Sequence, residues 1–377
     1  MMFHAPILRH SPFDRLRANG QSPNQNQTSE HGSNLLCPVA GQPPNRRVGL
    51  SKRHSTLTPI SSMLRLKRRA VDGGRQSALT LVPNLDYRSL LVLDPKHHTS
   101  VASAWMTMSL EARNLAFNNV AHAGPEFVQK KNEGWAAASK TLRTQRSQHL
   151  DLPYGPKERT KWDLYPGTDP NAPCFVFIHG GYWQRGSKEI FACLAEGALA
   201  HGWSAALPGY TLAPEASLTQ ITQELRAALD WFAANAAKRG IAGPVILSGW
   251  SAGGHLTAFL LDHSIVTAGL AISGVYDLAP LRDSPHVNDK VKLSETEIET
   301  LSPMRLPGVA KPLSIVYGTS ELPGMVASSR DLHAARAAAH LAGDLIPIIN
   351  ANHFTIIDAL RRSDSHLMRT AFQLART

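Results

Sequence analysis

Gly249-Trp250-Ser251-Ala252-Gly253 has the spacing G-x-S-x-G, and it joins an apolar run that reads as a strand, PVILSGW, to a segment that reads as a helix, SAGGHLTAFLLD. A serine on a sharp strand-to-helix turn has strained backbone angles and an exposed hydroxyl. Glycines two residues to either side keep side chains off the neighbouring strand and helix. Such a hydroxyl attacks a carbonyl at neutral pH only beside a base, and the base needs a carboxylate to orient it. Where a serine sits on an elbow of this G-x-S-x-G type, its partners follow along the chain in the order acid, then histidine.

His353, in ANHF after the last strand-like run DLIPIIN, stands where the base belongs. His333 and His340 fall within a helical segment and His366 on the final one, so they are poorer candidates. The acid should follow PLSIVYG, and Glu321 in TSELP lies in that turn. Asp331 comes too late, inside the next helix, and Asp277 in SGVYDL is the chief rival. Upstream, His179-Gly180-Gly181-Tyr182-Trp183 follows the run CFVFI. A glycine-rich loop there can turn backbone N–H groups toward a bound carbonyl, and with the N–H of Ala252 it would hold the oxyanion of a tetrahedral intermediate. Gly181 and Tyr182 are the favoured loop donors. His179 reads as a residue that shapes the loop, and His255 as one packed on the elbow helix. Trp183 either lines an acyl or aromatic pocket or packs in the core.

The segments that must position these residues alternate in type. Strands are predicted in TKWDLYPG, CFVFIHGG, WSAALPGY, PVILSGW, GLAISGVYDL, PLSIVYG and DLIPIIN. Helices are predicted in SLEARNLAFNNVA, Gly134–Arg143, SKEIFACLAEGALAHG, SLTQITQELRAALDWFAANAAKRG, ASSRDLHAARAAAHLAG and RSDSHLMRTAFQLA. In the fourth of these, Leu218, Ile221, Leu225, Leu229 and Phe232 recur at helical spacing. Alternation of this kind predicts one doubly wound α/β domain over residues 108–377 with a mostly parallel sheet. The stretch from Leu281 to Pro307 breaks the pattern. It is charged and rich in turn residues, and it reads as an insertion over the carboxyl edge of the sheet.

The chain has 377 residues and a net charge of +10, but residues 1–107 carry 14 Lys/Arg against 5 Asp/Glu and the remainder 25 against 24. The basicity therefore belongs to the first segment, and the body gives no reason to expect a nucleic-acid partner. Residues 1–107 are polar, low in complexity and expected to be disordered, with at most a strand or two in LTLVPNLDYRSLLVLD. The segment reads as an organelle transit peptide, as a basic tail for nucleic acid, or as a spurious extension. The third reading is favoured. The helix pattern opens directly after Met108, so translation is expected to start there or at Met106, and HSPFDRLRANG resembles a peptide recurring at the front of over-extended bacterial gene models. Cys37, Cys174 and Cys193 have no metal-ligand or disulfide spacing, and His97-His98 has no further ligands near it. No metal, cofactor or membrane partner is expected, the location expected is the cytoplasm, and a homodimer is left open.

Together HGGYW, GWSAGGH, PGYTLAPEA, SGVYDL and YGTSELP followed by ANHF resemble the kynurenine formamidase (arylformamidase) branch of the α/β-hydrolases. EARNLAFNN resembles that branch's first helix, and the likeness spans about residues 108–375. The resemblance implies an α/β-hydrolase fold with Ser251 as nucleophile, His353 as base, Glu321 as acid and Gly180 to Trp183 around the oxyanion hole. Many members carry Asp where this chain has Glu321. The implied reaction is hydrolysis of an N-formyl aryl amide, N-formyl-L-kynurenine being the type substrate, with release of formate. A carboxylesterase acting on short acyl esters uses the same triad and is the first alternative. A catalytically silent binding protein of the same fold is the second.

Overall fold

The computed structural model describes residues 108–377. The extension 1–107, the strands expected in LTLVPNLDYRSLLVLD, Cys37 and His97-His98 lie outside the described residues. Eight strands form one sheet: β1 (Leu152–Pro153), β2 (Lys161–Tyr165), β3 (Cys174–Ile178), β4 (Ser204–Pro208), β5 (Val245–Trp250), β6 (Val266–Ile272), β7 (Leu313–Gly318) and β8 (Leu345–Ile348). Their spatial order is β1-β2-β4-β3-β5-β6-β7-β8. The pairs β1/β2 and β2/β4 are antiparallel and every later pair is parallel. This is the mostly parallel, doubly wound sheet that the alternation predicts.

Helices cover both faces. They are α1 (Leu110–Ala116), α2 (Asn119–Ala123), α3 (Pro125–Gln145), α4 (Lys188–Phe191), α5 (Glu196–Ala200), α6 (Leu218–Asn235), α7 (Ala252–Phe259), α8 (Ala279–Arg282), α9 (Pro285–Val291), α10 (Glu295–Leu301), α11 (Pro323–Ala338) and α12 (His366–Leu374). The strand β3 shows why its run is apolar throughout. Cys174, Val176 and Ile178 join the core beneath α6, while Phe175 and Phe177 join the core beneath α3 and α12. A strand covered on both faces has no polar side to alternate with. The buried stripe of α6 is Leu218, Ile221, Leu225, Leu229 and Phe232, each contributing about 1.5–3 kcal/mol of burial. A capping box between Ser217 and Gln220 starts that helix cleanly.

Two expectations need correction. The opening segment is not one helix but two. Phe117 ends α1, the Asn118 side chain caps α2 by accepting from the Ala121 amide, and Gly124 at φ +90° turns the chain into α3. Gly134–Arg143 is the interior of that longer helix. The insertion is not mainly turns: it holds α8, α9 and α10, the last with a capping box between Ser294 and Glu297. These helices have seven residues or fewer, too short for a periodic apolar pattern to stand out.

Candidate active site

Ser251 follows the last residue of β5 with φ 58° and ψ −118°, a backbone conformation that costs about 1–3 kcal/mol for a residue with a side chain. Its amide donates to Ile272 O at 2.8 Å, which ties the turn to β6. A Cβ at Gly249 would stand 2.2 Å from Gly253 O, and one at Gly253 would stand 2.0 Å from Ile178 O. Only glycine fits at both positions, as the sequence spacing anticipates.

His353 lies beyond β8 and Glu321 beyond β7, so both stand with Ser251 at the carboxyl ends of parallel strands, where sites form in this architecture. His353 Nε2 is 3.0 Å from Ser251 Oγ, and His353 Nδ1 is 3.2 Å from Glu321 Oε2. The other oxygen of Glu321 accepts from the Ser273 hydroxyl at 2.5 Å and from the Gly318 amide at 2.7 Å. The Glu321 side chain is fully buried and the His353 side chain 5 % exposed. Asp277 is elsewhere: it accepts from Arg305 at 3.1 Å and from the Ala279 amide at 3.1 Å. Trp250 Nε1 donates to His353 O at 2.8 Å, and its ring centroid lies 5.0 Å from the imidazole. Neither Ser273 nor this use of Trp250 is foreseen by the sequence reading, because each contact joins residues far apart in the chain.

The HGGYW loop lies directly against the elbow. A Cβ on Gly180 would stand 2.7 Å from Trp250 O and 3.0 Å from Ser251 Cβ. Gly181, Tyr182 and Trp183 all have positive φ, at 118°, 50° and 56°. Tyr182 and Trp183 are the central residues of a tight turn, closed by the Gln184 and Arg185 amides donating to Gly181 O at 3.1 Å. Among the described residues, the amides of Gly181, Tyr182 and Ala252 donate to no protein acceptor. His179 is buried, and its Nδ1–H donates to Gly180 O at 2.8 Å. The Tyr210 hydroxyl donates to His179 O at 3.0 Å while its ring stacks on the imidazole at 4.3 Å. Burial lowers the His179 pKa to about 4, so the ring is neutral. His255 is likewise neutral, lowered by burial to about 4, and donates from Nε2 to Leu301 O at 2.8 Å. Trp183 is buried with its ring edge-on to His255 at 5.0 Å. Cys174 and Cys193 are buried free thiols whose pKa values burial raises. Among the described residues no cluster of His, Cys, Asp or Glu could hold a metal ion, and no helix is long and apolar enough to cross a membrane.

Comparison with known proteins bears on the fold that holds these residues. The BD-FAE family model matches residues 163–264, the stretch from β2 past the elbow helix. A crystal structure from Silicibacter sp. TM1040, described as a candidate thioesterase, is 32% identical with a TM-score of 0.60, covering 69% of this chain and 98% of that one. The chain belongs to the α/β-hydrolase superfamily. Esterase B from Lactobacillus rhamnosis shares the hydrolase fold at 17% identity with a TM-score of 0.52, over 66% of this chain and 95% of its own. The kynurenine formamidase of Danio rerio is 24% identical over 278 residues, 68% of this chain and 94% of that protein. The present hydrolase is thus an enzyme of esterase and thioesterase type in its fold, with Ser251, His353 and Glu321 as its candidate triad.

Proposed function

We propose that residues 108–377 form the catalytic domain of a serine esterase acting on small acyl esters. The observation that carries the reading is the hydrogen-bonded run from Ser251 through His353 to Glu321 beside a loop with free amides. As the Oγ–carbon bond forms, the Ser251 proton passes to His353 Nε2, and the carbonyl π pair moves onto oxygen. The amides of Gly181, Tyr182 and Ala252 hold that oxyanion. Glu321 keeps the proton on Nδ1 and stabilises the imidazolium, while Ser273 and Gly318 hold Glu321 still. Collapse breaks the bond to the leaving alkoxide, which takes the proton from His353. Water then gives a proton to the same nitrogen and attacks the acyl-enzyme, and the acid leaves as Ser251 regains its hydrogen.

The likeness to the Silicibacter structure, described as a candidate thioesterase, supports a substrate with an activated acyl group, an ester or thioester. A second reading, an N-formyl aryl amide, has its own support: relatives from Danio rerio, Salmo salar and Drosophila melanogaster are kynurenine formamidases. The same steps serve it, with a formyl-enzyme as the intermediate and an arylamine taking the proton as it leaves. Purified enzyme assayed on p-nitrophenyl acetate and on N-formylkynurenine separates the two. The ester reading expects kcat/KM on the ester to exceed that on the formamide, and both to fall by about 10⁵–10⁶ in Ser251→Ala. Fast turnover of the formamide with a sluggish ester reaction would replace the first reading by the second.

A further inference from the structure

The short helices α1 and α2 touch the site on three sides. The Tyr182 hydroxyl donates to Phe117 O at 2.6 Å and accepts from Asn119 Nδ2 at 3.2 Å. His122 Nε2 lies 3.3 Å from Ser320 O, next to Glu321. Arg113 pairs with Asp283 of the insertion, and His286 of α9 sets Nε2 3.3 Å from Phe117 O. The His286 ring in turn meets the Tyr182 ring edge-on at 5.7 Å. Residues 113–122 thus form a strap bound to the HGGYW loop, to the turn that carries the acid and to the insertion.

Tyr182 is where the strap and the loop meet. Its φ of 50° is a left-handed conformation that costs an L residue about 1–2 kcal/mol, and the Gln184 and Arg185 amides, donating to Gly181 O at 3.1 Å, share with the phenol the work of holding it. The phenol is buried with both its hydrogen bonds made inside the protein, at about 1 kcal/mol each. Burial raises the phenol's pKa, so the donor to Phe117 O stays protonated across the working range of pH. No other side chain of the HGGYW loop reaches the strap through a hydrogen bond among the described residues.

We propose that Tyr182 is a positioning residue: its phenol, clamped by Phe117 O and Asn119, sets the direction of the loop amides at the oxyanion, so that the strap belongs to the machinery for the tetrahedral intermediate. The inference rests on the serine-hydrolase reading above. It gives the strap a role in kcat that a mere cover over the site would not have, because the clamp acts on the intermediate and leaves substrate binding alone.

Tyr182→Phe removes the hydroxyl and keeps the amide, the ring and its contact with His286. On p-nitrophenyl acetate the clamp predicts a fall in kcat of about tenfold, part of the 10²–10³ that a whole oxyanion donor is worth. KM should stay within about twofold, since a group acting only on the transition state leaves ground-state binding alone. An arylboronic acid, which forms a tetrahedral adduct on the serine oxygen, should lose affinity in step with kcat. Asn119→Ala removes half of the clamp from outside the loop and should move the same two quantities in the same direction, by about threefold. A purely structural hydroxyl would lower the unfolding temperature and leave kcat and boronate affinity at their wild-type values in both variants. That result overturns the clamp while leaving the hydrolase reading intact. Wild-type enzyme without turnover on either substrate and without boronate binding overturns both readings together.

Discussion

Glu321 accepts from the Ser273 hydroxyl and the Gly318 amide on one oxygen and faces His353 Nδ1 with the other. A carboxylate buried with three partners is held in one orientation, and hydrogen bonds to a charged group are worth about 1.5–3 kcal/mol each. Glu321→Gln should therefore fold, yet lose about 10⁴ in kcat: its amide oxygen would stay with the Ser273 and Gly318 donors, and its NH2 would donate to Nδ1 and fix the wrong tautomer of His353. Glu321→Asp should be intermediate. The shorter arm cannot reach both Ser273 and His353, so we expect a loss of about 10–100-fold in kcat with KM little changed. Steady-state kinetics on the ester checks both, and a Glu321→Gln enzyme within tenfold of wild type would return the acid's role to another residue. Asp277, the rival by sequence position, is occupied with Arg305 and the α8 amide, so Asp277→Asn should leave kcat unaltered.

At the scale of elements, the segment that follows the HGGYW loop is tied down by charge. Lys188, at the start of α4, is 3 % exposed and donates to Asp163 of β2 at 2.7 Å, to Asp151 at 2.5 Å and to Glu189 at 2.6 Å. Asp163 has no exposure at all and also pairs with Arg143 of α3. Removing one member of such a group strands the others, which costs about 3–5 kcal/mol, whereas replacing a matched pair by apolar side chains is often neutral. Lys188→Met should thus lower the free energy of unfolding by about 3–5 kcal/mol, and Lys188→Met with Asp163→Leu should recover much of the loss. Urea midpoints of the two variants decide it. A single variant as stable as wild type would mean that water already solvates Asp163. None of this cluster shows in the sequence, where Lys188 stands in a helix that reads as amphipathic and Asp163 in a short strand. The helices of the insertion are likewise hidden, although the insertion itself breaks the alternation visibly, because α8, α9 and α10 are each too short to carry an apolar period. The elbow and the histidine turn were readable for the opposite reason. Their demands are local: glycine at 249 and 253 is forced by backbone atoms 2.0–2.2 Å from any Cβ, and that requirement is written into five consecutive residues.

At the scale of the molecule, two buried histidines couple folding to pH. Burial holds His179 and His255 near pKa 4 in the folded chain, against about 6.5 in the unfolded one. Between those values the unfolded chain binds protons that the folded chain refuses. Stability is therefore full above pH 6.5 and falls as pH drops toward 4, by up to about 3 kcal/mol per histidine. Thermal midpoints should decline steadily from pH 7 to pH 4, and His255→Gln should reduce the slope. A midpoint that stays level over that range would show that these rings gain protons in the folded state without penalty. The mostly parallel sheet and the two-sided core follow from the alternation of apolar strands and amphipathic helices. The convergence of residues 251, 321 and 353 follows from the sheet, since β5, β7 and β8 all end on the same edge.

That convergence is tested most directly by a fluorophosphonate probe with peptide mapping on wild type, Ser251→Ala and His353→Ala. Wild type should carry one phosphonyl group per chain, on Ser251, with ester hydrolysis lost in proportion to labelling. Ser251→Ala should take no label, and labelling of His353→Ala should be slowed by at least about 10³. A label on another residue, or hydrolysis that survives in Ser251→Ala, would contradict that convergence.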